Sequence, residues 1–193
     1  WTSTVHWQGT DATIDFNSNV SLAAEQKMTG VYTLVGNRNL LNLSSAAGLI
    51  VDTGSKLVLK DMTITGFSGS KIRCLDDSAS VEFVNVSCIL DDDFTFTRGS
   101  LQFTGFVDFS GTHSLIYQSG LTSTISLNSR LRVASDATLV AGRKNSAHDR
   151  EPLYFEGKSS ELAFDAGNLI VTSSGMRLTR GILDLQGSFF VDI

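Results

Sequence analysis

Short runs in which apolar and polar residues alternate follow one another along this chain, and one pair of runs repeats. The two segments are residues 55–66 and 79–90. When the first is shifted by 24 residues, its apolar positions fall on those of the second: Leu57 on Val81, Leu59 on Phe83, Met62 on Val86 and Ile64 on Cys88. Alternation with period two predicts β-strands. Self-similarity at a period of about two dozen residues is typical of solenoids, in which each repeat packs on the next.

The position between the two strands of each repeat is polar. Asp61 in the first segment falls on Asn85 in the second, and both residue types favour turns. A second signal, a serine followed by two alternating apolar residues, recurs along the chain at Ser55, Ser80 and Ser129, with a looser copy at Ser160. The repeat spacing drifts between about 20 and 30 residues, which predicts insertions at the corners.

These patterns predict an all-β, single-domain parallel β-helix, a β-solenoid of about eight turns with three short strands per turn. At ~4.8 Å per turn, this is a rod about 40 Å long. Residues 1–29 are assigned to an N-terminal cap with the first strands, and residues 30–193 to the turns, with a loop insertion at 142–152. Segment 23–27 favours a short capping helix or a crossover. A β-sandwich binding domain is the alternative fold that the short strands leave open.

The composition of the chain indicates which kinds of partner and which cellular location to expect. Hydrophobic residues make up 41% of the chain, enough for a core, whereas charged residues make up only 18%. The net charge is -5 and no basic patch is visible, which argues against nucleic acid as the partner. No apolar run approaches the ~18 residues that span a bilayer. The Ser-, Thr-, Asn- and Gly-rich composition and the start at Trp1 lead us to expect a mature or excised segment of an extracellular or cell-surface protein.

The two cysteines, Cys74 and Cys88, do not form a metal-binding motif. Cys88 occupies the repeat position of Ile64, so we expect it to pack inward as a small hydrophobic residue. A disulfide between the two cysteines remains an alternative, because spacing alone does not give the geometry.

The segment Ser-Lys-Leu-Val-Leu-Lys-Asp-Met-Thr-Ile-Thr-Gly at 55–66 resembles the repeat unit of right-handed parallel β-helices of the pectin-lyase-like superfamily. That superfamily includes polysaccharide lyases and hydrolases, phage tailspikes, and bacterial adhesins and autotransporter passengers. As a pattern, the resemblance covers residues 30–193. It implies the fold more than an activity. Of the motifs that the hydrolase-type members carry, this chain has only a paired Asp, so the resemblance favours a surface or adhesin-type protein.

Two acidic clusters are the candidates for metal binding or catalysis. They contain Asp76, Asp77, Asp91, Asp92 and Asp93. Several carboxylates together predict a Ca²⁺ site, or a carboxylate pair that cleaves a glycosidic bond. In lyase-type relatives, a catalytic arginine lies near such acidic groups, which the resemblance carries over to Arg73 and Arg98. The simpler alternative is a set of solvated turn residues. No cofactor is predicted apart from this possible Ca²⁺.

The longest polar interruption, residues 142–152, is the candidate binding loop. Loops of this kind often carry binding residues, and the candidates are Arg143, Lys144, His148, Asp149 and Arg150. Its basic groups would suit an anionic glycan or a protein surface. A tolerated insertion without function is the alternative.

The function expected from these patterns is a non-enzymatic module for adhesion, spacing or self-assembly within a larger surface protein or filament. The apolar residues 189–193 favour docking of further copies end to end. The alternative is a polysaccharide lyase or glycoside hydrolase that acts on an acidic glycan with the Asp clusters. No histidine stands beside a convincing nucleophile, so a Ser/His hydrolase is not expected.

Overall fold

The computed structural model describes residues 3, 5–141, 153–171 and 178–186, and these residues form an all-β structure. Its eighteen strands, in chain order, are β1 (Val5–Asp15), β2 (Val20–Leu22), β3 (Glu25–Val35), β4 (Leu40–Leu43), β5 (Gly48–Val51), β6 (Lys56–Gly69), β7 (Ile72–Cys74), β8 (Ser80–Phe96), β9 (Ser100–Thr104), β10 (Phe106–Gly111), β11 (Ser114–Tyr117), β12 (Ser123–Ile125), β13 (Arg130–Ala134), β14 (Thr138–Ala141), β15 (Leu153–Phe155), β16 (Glu161–Asp165), β17 (Asn168–Val171) and β18 (Ile182–Gln186). No helix occurs among them.

The strands stack into three parallel ladders, because strands pair with strands one turn before or one turn after them. Ladder A contains the first halves of β1 and β3, then β5 and β7, and continues with the end of β8, β11, β14 and β17. Ladder B contains the second halves of β1 and β3, the first parts of β6 and β8, then β9, β12 and β15. Ladder C contains β2, β4, the later parts of β6 and β8, then β10, β13, β16 and β18. The predicted parallel β-solenoid is confirmed.

The interior of the solenoid is built from stacked columns of apolar side chains. Leu59 pairs with Phe83, and Phe83 pairs with Phe103 one turn further along. Leu59 and Phe83 are fully buried, with 0% of their surface exposed. The rings of Phe83 and Phe103 lie parallel with centroids 6.0 Å apart. The prediction that apolar residues two dozen positions apart lie over one another is therefore confirmed.

The number of turns is about seven, where the repeat length predicted about eight. Turn lengths vary as expected from the sequence: Phe83 pairs with Phe103, whereas Leu131 pairs with Leu162.

The helix or crossover expected over residues 23–27 is wrong for its second half, because β3 begins at Glu25. Gln26 pairs with Val5 on one side and with Leu49 on the other. Its buried side chain accepts a hydrogen bond from Trp7 Nε1 (3.1 Å) and donates one to the Ser3 carbonyl (2.9 Å). Ladder pairing on both sides outweighs the weak local preference for a helical turn.

The serine signal has a structural cause at three of its four positions. Ser55 Oγ accepts a hydrogen bond from Gly30 N (2.9 Å), and Ser129 Oγ accepts one from Gly105 N (2.8 Å). At these two positions the serine just before a strand satisfies a backbone N–H at a corner of the preceding turn. Ser160 Oγ instead donates to the Ser126 carbonyl (2.9 Å) of the preceding turn. These small polar side chains therefore join one turn to the next where the ladders do not.

Both cysteines are buried free thiols, so the alternative of a disulfide is not realised. Cys88 pairs with Ile64 and has 0% of its surface exposed, as its repeat position predicts. Burial, with a smaller contribution from Asp76 and Asp77, raises the pKa of the Cys74 thiol to about 12. Both thiols are therefore poor nucleophiles.

Candidate functional site

The first acidic cluster, Asp76 and Asp77, caps the corner between ladders A and B. Asp76 Oδ1 accepts hydrogen bonds from Ser78 N (3.0 Å) and Ser78 Oγ (2.7 Å). The bond from the Ser78 hydroxyl, followed by one from Thr53, holds the pKa of the Asp76 carboxyl below its usual range. Asp77 Oδ1 accepts a hydrogen bond from Gly99 N (3.3 Å), one turn away. Both carboxylates thus satisfy groups of the solenoid itself.

The second cluster, Asp91 to Asp93, lies at the corner between ladders C and A. Asp91 accepts a hydrogen bond from Gly66 N of the preceding turn. Asp93 Oδ1 accepts one from Ser114 N (2.8 Å) of the following turn. His113 Nδ1 lies 3.9 Å from Asp92 Oδ1 and 4.0 Å from Asp93 Oδ1. This cluster also links successive turns.

The two clusters occupy different corners, so the structure does not bring them together in one site. Within residues 5–141, 153–171 and 178–186, no group of three or more His, Cys, Asp or Glu side chains is placed to hold a metal ion. The Ca²⁺ site stays a prediction. The two arginines near the clusters are engaged elsewhere: Arg73 pairs with Glu25 (2.6 Å), and Arg98 donates to the Leu75 carbonyl (2.9 Å).

The candidate binding loop lies outside the described residues. Its residues Arg143, Lys144, His148, Asp149 and Arg150 belong to the undescribed range 142–152. The apolar residues 189–193 are likewise outside the described part of the chain. The binding roles assigned to both segments stay predictions.

A recess lies elsewhere, at the corner between ladders B and C, and it arises from a difference in corner length. Three successive turns cross this corner with the single residues Asp61, Asn85 and Gly105, whose φ angles are 52°, 54° and 69°. The turn before them uses four residues, 36–39, and the turn after them uses 126–129. A corner of one residue keeps the chain close to the core, whereas the four-residue corners extend outward.

The short corners are held in line by side-chain hydrogen bonds between turns. Asn85 Nδ2 donates to Asp61 Oδ1 (3.0 Å), and Asn85 Oδ1 accepts from Phe106 N (3.1 Å). Asn and Asp tolerate the left-handed conformation that such a tight corner requires. The predicted stacking of Asp61 and Asn85 at one corner is therefore confirmed.

The recess is an open, polar groove with a volume of about 780 Å³. Its lining residues are Asn37, Arg38, Asp61, Met62, Thr63, Asn85 and Ser87. Among the described residues of this lining, Met62 alone has an apolar side chain, and it is 4% exposed. We call this recess the corner groove.

The wall of the corner groove is a well-held turn. Asn39 N donates to the Gly36 carbonyl (2.8 Å), and Arg38 N donates to the Asp61 carbonyl (2.7 Å). The side-chain amides of Asn37 and Asn39 both donate to the Phe16 carbonyl, at 3.3 Å and 3.0 Å. The backbone that carries Arg38 is thus fixed to the turns on both sides of it.

Several polar groups of the corner groove have no partner among the described residues. Thr63 and Ser87 are neighbours in ladder C, both half-buried, and neither hydroxyl forms a hydrogen bond there. Arg38 is exposed and forms no ion pair within the described part of the chain. Asp61 supplies the one carboxylate among the lining residues that the structure describes.

The arginines of ladder C form ion pairs with carboxylates, whereas Arg38 forms none among the described residues. Arg130 lies 3.4 Å from Glu161 and 3.3 Å from Asp184. Arg132 pairs with Asp108 at 2.7 Å and lies 3.7 Å from Asp165. Those guanidinium groups stabilise the outer face of the solenoid, whereas Arg38 is available to a ligand.

Sequence reasoning missed the corner groove, although a signal was present. The repeat places Asp61 and Asn85 at equivalent corners, and the polar run 36–39 in the sequence is typical of a separator between strands. Comparing the lengths of corners that lie over one another would have predicted a step in the surface. The assignment of corners to the same edge requires the register, which the sequence gives clearly only for 55–66 and 79–90.

The fold defines the class of the protein as a parallel β-helix, since about seven turns of short parallel strands enclose one core. No family model, curated protein or solved structure matches this chain. None of the described residues forms a helix that could cross a membrane.

Proposed function

We propose that this chain is a rigid, non-enzymatic β-solenoid module of an extracellular or cell-surface protein. It serves adhesion, spacing or assembly, and its repeat unit supports a relationship to adhesin-type members of the pectin-lyase-like superfamily. About seven turns at ~4.8 Å each give a continuous rod about 35 Å long. A single apolar core runs through the described turns, so the rod resists bending and holds its faces at fixed positions.

The main support for this proposal is that the acidic residues form hydrogen bonds within the solenoid. Asp77, Asp91 and Asp93 each accept a hydrogen bond from a backbone N–H of another turn. A glycosidase general acid needs a raised pKa, whereas that of Asp76 is lowered by its hydrogen bonds. These contacts support a structural role at the corners and give no support to a catalytic pair.

The partner in this proposal is a glycan or a protein surface that contacts the outer faces of the rod. Among the described residues, the corner groove is the polar recess best suited to contact with a glycan. The loop residues Arg143, Lys144, His148, Asp149 and Arg150 remain a second proposed contact. If the module serves assembly, copies of the chain associate end to end. Light scattering of the purified chain at increasing concentration tests this association.

Turnover assays test the non-enzymatic character directly. The purified chain is incubated with a panel of uronic-acid polymers, with and without Ca²⁺, and new chain ends are measured. We expect no turnover by the parent protein or by a variant with Asp91, Asp92 and Asp93 all changed to Asn. Turnover by the parent that is lost in a variant that is still folded would contradict the proposal and favour the lyase or hydrolase alternative.

A further inference from the structure

We propose that the corner groove binds an oligosaccharide that carries one isolated carboxylated sugar, with Arg38 as the partner of the carboxylate. This inference rests on the proposed function as a binding module and adds the ligand class and the residues that recognise it. Thr63 and Ser87 are the partners of sugar hydroxyls in the same groove. The positions of these residues, and their polar groups without partners among the described residues, support this assignment.

The corner groove offers hydrogen-bonding groups at a regular spacing. Thr63 and Ser87 lie on adjacent turns, which are ~4.8 Å apart along the axis. Asp61 and Asn85 lie on the same two turns and are joined by their side chains. The spacing is close to the length of one sugar unit, so successive sugars of a chain laid along the axis meet equivalent hydroxyl and carboxyl or amide groups.

Polar lining also excludes other ligand classes. Peptides and proteins usually bind through buried aromatic or aliphatic anchors, and the only apolar side chain among the described lining residues, Met62, is 4% exposed. Nucleic acid requires many cations for its phosphates, and the described part of the lining holds one. A ligand that is hydroxylated along its length fits this surface best.

The charge of the ligand follows from Arg38. Its guanidinium forms no ion pair within the described residues, and a guanidinium binds a carboxylate through two parallel hydrogen bonds. One cation matches one carboxylate. A polyanion would meet a protein of net charge -5 with a single cation among the described lining residues, so repulsion opposes its binding. The matching ligand therefore has one acidic sugar among neutral ones.

The corner is also organised before any ligand binds. The backbone of Arg38 is held by its bond to the Asp61 carbonyl, and its neighbours Asn37 and Asn39 are tied to Phe16. A fixed turn lowers the entropy that binding must offset. Arg38 has a φ angle of 68°, in a region where asparagine is the best-tolerated side chain after glycine.

Calorimetric titration with sialyllactose and lactose tests this inference, because the two sugars differ by one carboxylated unit. We expect the parent protein to bind sialyllactose roughly tenfold more tightly than lactose, as one charge-assisted pair predicts. Arg38→Asn should reduce this ratio to about one without disturbing the corner. Arg38→Lys should keep part of it, because the charge remains and the two-pronged geometry is lost.

Two further variants separate the roles of charge and hydroxyl. Lys158→Asn is the matched control, since Lys158 is an exposed cation at the same corner several turns away and should leave both affinities unchanged. Ser87→Ala should weaken sialyllactose and lactose by a similar factor of about two to five, the effect of one neutral hydrogen bond.

Defined outcomes would overturn the inference. Equal binding of sialyllactose and lactose, no binding of either, or an equal loss in Arg38→Asn and Lys158→Asn each contradict it. Tighter, strongly salt-dependent binding of a polyuronate would identify a polyanion site and also contradict it. None of these outcomes implies turnover, so the inference fails separately from the proposed non-enzymatic function.

Discussion

At the scale of single residues, the stability of the rod depends on side chains that fill the interior from turn to turn. Phe83 illustrates this: it is fully buried and its ring lies 6.0 Å from that of Phe103 and 6.3 Å from that of Phe67, measured between centroids. Phe83→Ala should lower the free energy of unfolding by about 3–5 kcal/mol, because a cavity forms between turns that cannot collapse. Denaturant unfolding measures the change.

Phe106→Ala is the matched control for Phe83→Ala. Phe106 is 42% exposed on the outer face, where the Arg132 guanidinium carbon lies 5.3 Å from its ring centroid. Its loss should cost only about 1 kcal/mol, the value of an exposed cation–π contact. Equal losses for the two variants would show that Phe83 does not occupy a core column.

Residue patterns predicted the interior well and local conformation less well. The assignment of Leu59 over Phe83 followed from the 24-residue shift alone, because only one register places every apolar side chain inside. The helix expected over 23–27 failed because propensity is a weak preference that ladder pairing of Gln26 overrides. Buried polar Gln26, with its bonds to Trp7 and Ser3, has no signature in the alternation of the sequence.

At the scale of elements, the corners decide how closely successive turns can approach. Gly66 and Gly69 lie three residues apart at the corner between ladders C and A, with φ angles of 69° and 55°. A Cβ at Gly66 would overlap the Leu43 carbonyl oxygen of the turn before, whereas a Cβ at Gly69 would meet nothing within 4 Å. An alanine at Gly69 would therefore test backbone strain alone. An alanine at Gly66 would test the same strain together with the close contact between turns.

Gly69→Ala should lower the free energy of unfolding by about 1–2 kcal/mol, the cost of a left-handed alanine. Gly66→Ala should cost at least about 1 kcal/mol more, because it also displaces the Leu43 carbonyl from the stack. Thermal and denaturant unfolding of the two variants provide the measurement. If Gly66→Ala were no more destabilising than Gly69→Ala, the turns could not be stacked as closely as described.

The corner groove could not be predicted from the sequence, because it depends on the lengths of corners that lie at the same edge. Strand alternation identifies the elements, but a groove depends on which corners share an edge. Residues 36–39 and the single residues Asp61 and Asn85 lie at one edge only because ladders B and C keep their register. The acidic clusters were candidates for metal binding or catalysis because several carboxylates lie together in the sequence. In the structure, carboxylates of the second cluster accept hydrogen bonds from backbone N–H groups of neighbouring turns.

At the scale of the whole molecule, the described residues form one stack in which every pairing between strands is parallel. Several charged groups on the outer face are paired across turns, as in Lys56 with Glu82 (2.7 Å) and Arg132 with Asp108 (2.7 Å). Such pairs on adjacent turns reinforce the stack. The function proposed here, a rod that presents a polar corner groove to a partner, depends on that stack being continuous.

Distances between spin labels on one outer column test the continuous parallel stack most directly. Thr13, Thr33, Val58, Glu82, Gln102 and Thr124 lie in register along ladder B. Labels attached through cysteines at Thr13 and Thr124 span five turn-to-turn steps, about 24 Å, and labels at Thr33 and Thr124 span four, about 19 Å. The native thiols Cys74 and Cys88 are buried and should remain unlabelled. A decrease of about 5 Å between the first pair and the second is the predicted result, and two distances that do not differ by one turn would contradict the stack.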